Sequence, residues 1–177
     1  MSRKLIVYIS SSLDGYIAKP NDDLSFLNSM MVEGEDYGYS EFISNVDTVV
    51  IGRKTYDWVV NEVGFFPHKD VDSYVITNKE KPQKERTVFY NGNLNALIEN
   101  LKAKSGKNIY CDGGAMLVNS LLKLDLVDEL ILSVVPVLLG DGVKLFEIGI
   151  PERELELVNS NSFSTGLVQL HYRFPKR

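Results

Sequence analysis

The sequence predicts a three-layer α/β/α sandwich on a mixed, mostly parallel sheet whose C-terminal strands run antiparallel. Short apolar runs rich in Val, Ile and Tyr recur at Leu5–Ile9, Thr48–Ile51, Val71–Ile76, Val88–Tyr90, Asn108–Tyr110 and Leu130–Val135. Their weak alternation suits strands covered on both faces. Helical stripes fall between several of them, which calls for crossover connections and parallel pairing. The final third changes pattern: Val168, Leu170, Tyr172 and Phe174 alternate with Leu167, Gln169, His171 and Arg173. That is the signature of a half-exposed antiparallel strand.

Leu5–Ile9 opens the sheet. Lys19–Met31, carrying Pro20, Asn21, Asp22 and Asp23, reads as a long loop with one helical turn. Tyr39, Phe42, Ile43 and Val46 stand at i, i+3, i+4, i+7 and predict the first helix. The strand Thr48–Ile51 runs into Gly52 and a short helix containing Trp58 and Val59. Val71–Ile76 and Val88–Tyr90 flank a charged turn, Lys79–Glu85, around Pro82. Leu94, Leu97, Ile98 and Leu101 form a second stripe. Leu117, Leu121 and Leu124 form a third, opened by Gly113-Gly114. Beyond Leu130–Val135 come Pro136, the turn-rich Leu139-Gly140-Asp141-Gly142, and a strand pair, Leu155–Val158 and Leu167–Phe174, turning at Gly166.

Composition sets limits on function. The chain has 177 residues and a mass of 20.0 kDa, which suits a single domain over residues 1–177. Lys plus Arg is 19 and Asp plus Glu is 24, a net charge of −5 with no basic block. Nucleic acid and anionic membranes are therefore poor partners. Cys111 is the single cysteine, so no intrachain disulfide or cysteine metal cluster can form, and two histidines cannot make a three-histidine metal site. No metal is expected. The N-terminal apolar run is too short for a signal peptide and no run reaches a membrane span. A reducing cytoplasm is the expected location.

Three loops directly follow predicted strands, where ligands bind in open α/β sheets. The first, Ser10-Ser11-Ser12-Leu13-Asp14-Gly15-Tyr16-Ile17-Ala18, puts small hydroxyl residues and an Asp-Gly turn at a strand end. A flat ring could lie there under a mobile loop. Composition alone also allows an ordinary surface turn. The second is Gly52-Arg53-Lys54-Thr55-Tyr56. Glycine permits close backbone approach, the helix start attracts an anion, and Arg53 adds a bidentate fork beside the point charge of Lys54. The third, Tyr110-Cys111-Asp112-Gly113-Gly114-Ala115-Met116-Leu117, repeats strand, glycine and helix start, and Gly113-Gly114 is a natural seat for a pyrophosphate. Together they suggest a dinucleotide laid along the sheet edge.

These residues resemble the dihydrofolate reductase superfamily. The closer likeness is to the branch named for the C-terminal reductase domain of the bifunctional riboflavin-biosynthesis deaminase–reductase. Ser12-Leu13-Asp14-Gly15-Tyr16-Ile17-Ala18 is similar to that branch's Ser-Leu-Asp-Gly-x-Ile-Ala opening. Gly52-Arg53-Lys54-Thr55-Tyr56 resembles the Gly-Arg-x-Thr-aromatic segment of dihydrofolate reductases. Gly113-Gly114-Ala115-x-Leu117, Leu126 to Leu130, Pro136, Leu139-Gly140-x-Gly142 and Leu145-Phe146 match the branch's C-terminal half. The likeness spans about Lys4 to Phe174.

The resemblance implies an NADPH-dependent reductase on an eight-stranded sheet, acting in the manner of a 5-amino-6-(5-phosphoribosylamino)uracil reductase of riboflavin biosynthesis. Gly52, Arg53, Lys54 and Thr55, with Gly113, Gly114, Ala115, Met116 and Leu117, would hold the cofactor phosphates, Arg53 meeting the 2′-phosphate. Thr77 and Asn78 would lie near the adenosine, and Ile17 and Ala18 near the nicotinamide. Ser10, Ser12, Asp14 and, at the rim, Trp58 are the candidate substrate contacts. The arginines with which the riboflavin branch grips a phosphoribosyl group have no counterpart after Thr55, where Tyr56-Asp57-Trp58-Val59-Val60 follows. Asp36, sixteen residues before Gly52, sits at the offset of the folate enzymes' acid, with Glu35 and Glu41 as alternatives. Asp14 and Asp36 are the candidate proton suppliers. A non-catalytic module that binds or senses NADPH is the competing reading.

A homodimer is expected from the resemblance, with Val134 to Leu139 as the sequence hint: more Val and Leu than a lone edge strand should expose. Cys111 reads as a small buried hydrophobe. His171 is expected in solvent on the polar face of its strand, and His68 lies in an irregular loop beside Pro67.

Overall fold

The computed structural model describes residues 3–79 and 81–176. Eight strands form one sheet in the order β5-β4-β3-β6-β1-β7-β10-β9. These are β1 (Leu5–Ser12), β3 (Val46–Gly52), β4 (Asp72–Ile76), β5 (Thr87–Tyr90), β6 (Asn108–Gly113), β7 (Glu129–Val135), β9 (Glu156–Ser162) and β10 (Val168–Arg173). The six strands from β5 to β7 pair in parallel, and β10 runs antiparallel to both β7 and β9. The expected mixed sheet, parallel first and antiparallel last, is present. A separate two-stranded ribbon, β2 (Tyr16–Ala18) with β8 (Val143–Lys144), was not legible in the sequence. Runs of two or three residues give no period to detect.

Strand alternation decides which helices cover which face. Leu5 and Val7 of β1, Val50 of β3, and Ile109 and Cys111 of β6 pack against α3 (Leu94–Ala103) and α4 (Ala115–Lys123). Their neighbours Tyr8, Val49, Ile51 and Tyr110 face the other way, onto α1 (Tyr39–Ser44) and α2 (Arg53–Val63). The result is the expected three layers. Cys111 is fully buried, and burial pushes its thiol up to about 12. A third cluster of Phe26, Met30, Val135 and Leu167 lies under the segment from Leu24 to Tyr37.

Several expectations are corrected. The first helix ends at Ser44, and Val46 already belongs to β3. The long loop holds two 3-10 turns, Pro20–Asp22 and Ser25–Met30. In the charged turn Lys79–Glu85, Glu80 lies outside the described residues. His171 is not simply solvated: its Nε2 lies 3.0 Å from Glu129 Oε2, and Lys4 Nζ meets the other oxygen at 2.6 Å. The β7–β10 register brings these charges together at one strand end. The Val134–Leu139 hint also changes meaning. β7 is an inner strand, and Val135, Val137 and Leu139 pack into the third cluster rather than exposing an edge. No helix among the described residues is long and apolar enough to cross a membrane.

Candidate active site

The three loops singled out in the sequence meet at the carboxyl edge of the sheet, because β3, β6 and β1 are adjacent there. Their backbones approach closely. A Cβ on Gly52 would lie 3.4 Å from the Gly113 carbonyl oxygen and 3.5 Å from the Gly114 nitrogen. A Cβ on Gly114 would meet Thr55 Oγ1 at 2.8 Å. Glycine is therefore needed at Gly114, whereas a Cβ on Gly52 would make an ordinary contact. The Gly113–Gly114 peptide is cis.

Gly52 caps the start of α2 and Gly114 that of α4, and neither end carries a side-chain cap. By contrast Asn93 caps α3 through its own side chain, accepting from Ala96 N at 2.9 Å. Two helix starts on neighbouring strands thus leave free N–H groups and positive potential at one edge. Arg53 lies against Asp57 and, 5.5 Å from the ring centroid, over Phe89, with Lys54 exposed next to it. Thr77 is buried and Asn78 exposed at the end of β4, flanking β3 on the far side. Ala115 and Leu117 are buried in the core, so only their backbone faces this edge, and Met116 is exposed. Ile17 packs with the cluster that contains Ile9 and Leu145, and Ile9 Cδ1 lies 3.4 Å from where a side chain on Gly113 would begin. Ala18 is buried beside Gly142, whose side chain would run into the Ala18 carbonyl.

A cavity of about 260 Å³ opens on the α1 face of the same edge. Its polar floor is Ser10 of β1 paired with Ser133 of β7; Ser133 pairs in turn with Gln169 of β10, which does not itself line the cavity. Gln169 Nε2 lies within 3.1 Å of Tyr8 OH, the Tyr37 carbonyl and Ser133 Oγ. Tyr8 OH donates to the Tyr37 carbonyl at 3.0 Å, and burial raises its phenol above the ordinary value. The walls are Leu27, Met30, Tyr37, Tyr39 and Leu167, with Glu35 and Asp36 at the rim.

The sequence of residues 3–169 matches the RibD C-terminal domain. The chain belongs to that family. This RibD C-terminal domain is 42% identical over 173 residues to the uncharacterized Bacillus subtilis protein YwjB, covering 97% of this chain and 98% of that one. It superposes on a Shewanella sp. PV-4 protein assigned to riboflavin biosynthesis with a TM-score of 0.88 at 31% identity, covering 99% of this chain and 100% of the other. The Enterococcus faecalis dihydrofolate reductase, solved with NADP(H), gives 0.65 at 14% identity, with coverage of 99% and 100%. That last likeness is one of fold. Membership places the chain among riboflavin-biosynthesis reductase-like domains.

Within that family frame, the structure brings Ser10 and Asp36 to the cavity but gives both candidate acids other work. Asp36 Oδ1 accepts from Gly38 N at 2.9 Å and Oδ2 from Ser40 N at 3.0 Å, so it caps α1. The Ser40 hydroxyl and these amides hold its carboxyl below the usual range. Asp14 accepts from Ser12 Oγ at 2.6 Å, Leu139 N at 3.0 Å and Gly140 N at 2.7 Å. The Ser12 hydroxyl, then the Leu139 amide, lowers it to about 2. An acid so strongly ionised is a poor proton donor. The expected mobile cover is tied down as well: Leu13 N donates to Val137 O, and Leu145 N to Gly15 O. Ser12, 1% exposed, is spent on this turn. Trp58 is half-buried on α2 and does not line the cavity. Sequence reasoning missed Tyr8, Tyr37, Tyr39, Ser133 and Gln169. Only the alternation placing Gln169 among apolar neighbours hinted at a role.

Proposed function

We propose that this chain is an NADPH-dependent reductase that delivers a hydride to a flat pteridine- or pyrimidine-like heterocycle. The observation that supports it best is the pair of uncapped helix starts on adjacent strands, closed by the Gly52–Gly113-Gly114 contact and opening beside the aromatic cavity. The residues fit a dinucleotide: the amides at Arg53–Thr55 and those of Ala115 and Met116 would take the phosphates, and the Arg53 Nη atoms the 2′-phosphate. When bound, the reduced nicotinamide supplies the hydride. The protein would supply position and exclusion of water: Ile17 and Ala18 flank the nicotinamide side, and Ser10 and Ser133 on the cavity floor orient the heterocycle through hydrogen bonds.

No lysine or arginine is among the described residues lining the cavity, whose charged members are Glu35 and Asp36. The cavity therefore suits a ring without a phosphate better than a phosphoribosyl substrate. In this reading the protein works in the cytoplasm as a homodimer. Its surface would include β9, whose residues are all exposed, with Leu157 at 58% and Val158 at 43%.

The test is NADPH oxidation, followed by absorbance, with dihydrofolate and with 5-amino-6-(5-phosphoribosylamino)uracil supplied separately. Turnover is expected with the unphosphorylated ring ahead of the phosphorylated one. Tight NADPH binding with no oxidation by either would make the chain a binding or sensing module instead.

A further inference from the structure

Three tyrosines, Tyr8, Tyr37 and Tyr39, line the cavity, and the fold has spent two of their hydroxyls elsewhere. Tyr8 OH donates to the Tyr37 carbonyl at 3.0 Å, and Tyr37 OH to the Met30 carbonyl at 2.7 Å. What these two side chains offer a ligand is ring surface. The Tyr8 and Tyr39 rings meet at 78° with centroids 5.7 Å apart, so they form a corner and not a stack. The Tyr37 ring is held edge-on by Phe163, 4.9 Å between centroids. A corner of electron-rich faces attracts a cation.

The charges agree with the rings. Glu35 and Asp36 stand at the rim, and no Lys, Arg or His is among the described residues lining the cavity. Each Asp36 oxygen takes one backbone amide, from Gly38 or from Ser40, and keeps a second lone pair. Glu35 spends one oxygen on Tyr37 N at 2.8 Å. Burial first, then the charge of nearby Asp112, pushes the Tyr39 phenol up to about 12, so that ring stays neutral. Negative charge thus lies at the rim and behind the wall, and no lining side chain opposes it.

We infer that the cavity takes a flat organic cation, and that the substrate of this chain is an iminium, a heterocycle whose C=N bond carries positive charge. The inference rests on the reductase reading and narrows its substrate class. The aromatic corner and the two carboxylates hold the charged nitrogen. Ser133 Oγ on the floor accepts from Gln169 Nε2, which leaves its proton for an acceptor on the ring.

A cationic substrate also removes the need for a protein acid, and both candidate acids are committed to backbone amides as anions. As hydride from the reduced nicotinamide reaches the iminium carbon, the C=N π pair becomes the lone pair of a neutral amine. One C–H bond forms on the substrate and one C–H bond of the dihydronicotinamide breaks. The substrate is reduced, the nicotinamide is oxidised, and no proton leaves the protein.

The experiment has a binding arm and a turnover arm. Calorimetry without cofactor, in mildly alkaline buffer, compares N-methylisoquinolinium, a permanent cation, with isoquinoline, its neutral analogue. Wild type should prefer the cation by about tenfold or more, and salt should erode the preference. Glu35→Gln keeps an oxygen for the Tyr37 amide; it should lose about 3- to 10-fold for the cation and nothing for isoquinoline. Tyr39→Leu should lose about 3- to 30-fold for the cation, and Tyr39→Phe, which restores the ring, should recover most of it. In the turnover arm, NADPH oxidation is followed with N-methyl dihydroisoquinolinium, an iminium, and with α-tetralone, a neutral ketone of similar size; the iminium alone should react. Equal affinity for the two probes in wild type, or an unchanged cation affinity in both Glu35→Gln and Tyr39→Leu, would overturn the cation site. Reduction of the ketone ahead of the iminium would overturn the iminium substrate and leave the reductase reading intact. Cation preference with no NADPH oxidation by either compound would overturn the reading and the iminium substrate together, leaving a cation-binding cavity.

Discussion

Arg53 donates its Nε to both carboxylate oxygens of Asp57, each at 2.7 Å, one helical turn along α2. The guanidinium also lies over Phe89, and Lys81 Nζ stands 5.6 Å from the centroid of the same ring. Asp57 and Phe89 thus fix the orientation of a fork whose Nη atoms remain for an anion. Arg53→Ala should weaken NADPH by about 10- to 100-fold and leave NADH nearly unchanged. Asp57→Asn removes a negative charge next to the 2′-phosphate and should tighten NADPH by about 3- to 10-fold, again sparing NADH. Isothermal titration with both cofactors checks the pair of variants; equal losses for NADPH and NADH in Arg53→Ala would place the 2′-phosphate elsewhere.

Asp14 is a tie between two loops, and its charge gives a pH signature. The folded carboxyl stays ionised down to about 2, whereas an unfolded Asp takes up a proton near 3.8. Its stabilising effect is therefore full above the unfolded value and is lost as pH falls toward 2. Asp14→Asn should lower the melting temperature at neutral pH and make little difference near the acid end. Hydrogen exchange should show residues 12–18 protected without ligand in wild type and opened in the variant. Rapid exchange in the wild type would restore a mobile cover.

Gln169 Nε2 ties Ser133 on the cavity floor to Tyr8 OH and the Tyr37 carbonyl. Gln169→Leu would remove the amide donor that Tyr8 OH, Ser133 Oγ and the Tyr37 carbonyl share. The expected cost is about 1–3 kcal/mol, measured by urea denaturation, with a weaker substrate KM as the functional counterpart. An unchanged midpoint would mean that the row is not a stabilising network.

Assembly is open to a direct measurement. Light scattering at micromolar protein should give twice the 20.0 kDa chain mass. Val158→Glu, on the exposed edge strand β9, should return the chain to monomer without unfolding it, because nothing in the core leans on that side chain. A wild type at chain mass would sink the dimer.

The sequence by itself determined the layers, the strand types and the places of the three loops at the carboxyl edge of the sheet. Those signals are local: a period of two or 3.6, a glycine at a strand end, a helix start beside it. Gly113 and Gly114 were legible because a positive φ at the first and a close approach at the second demand glycine whatever lies around them. Which strands are neighbours is not local, and it decided the rest. Adjacency of β3 and β6 joined two separate loops into one edge. The β1–β7–β10 register gathered Ser10, Ser133 and Gln169 into one row, although Ser10 stands more than a hundred residues before the other two. The same tertiary pairing used up Asp14 and Asp36 as backbone caps, because each found unpaired amides within reach. It also brought Tyr8, Tyr37 and Tyr39 together around one cavity, a grouping that no spacing in the chain could have named.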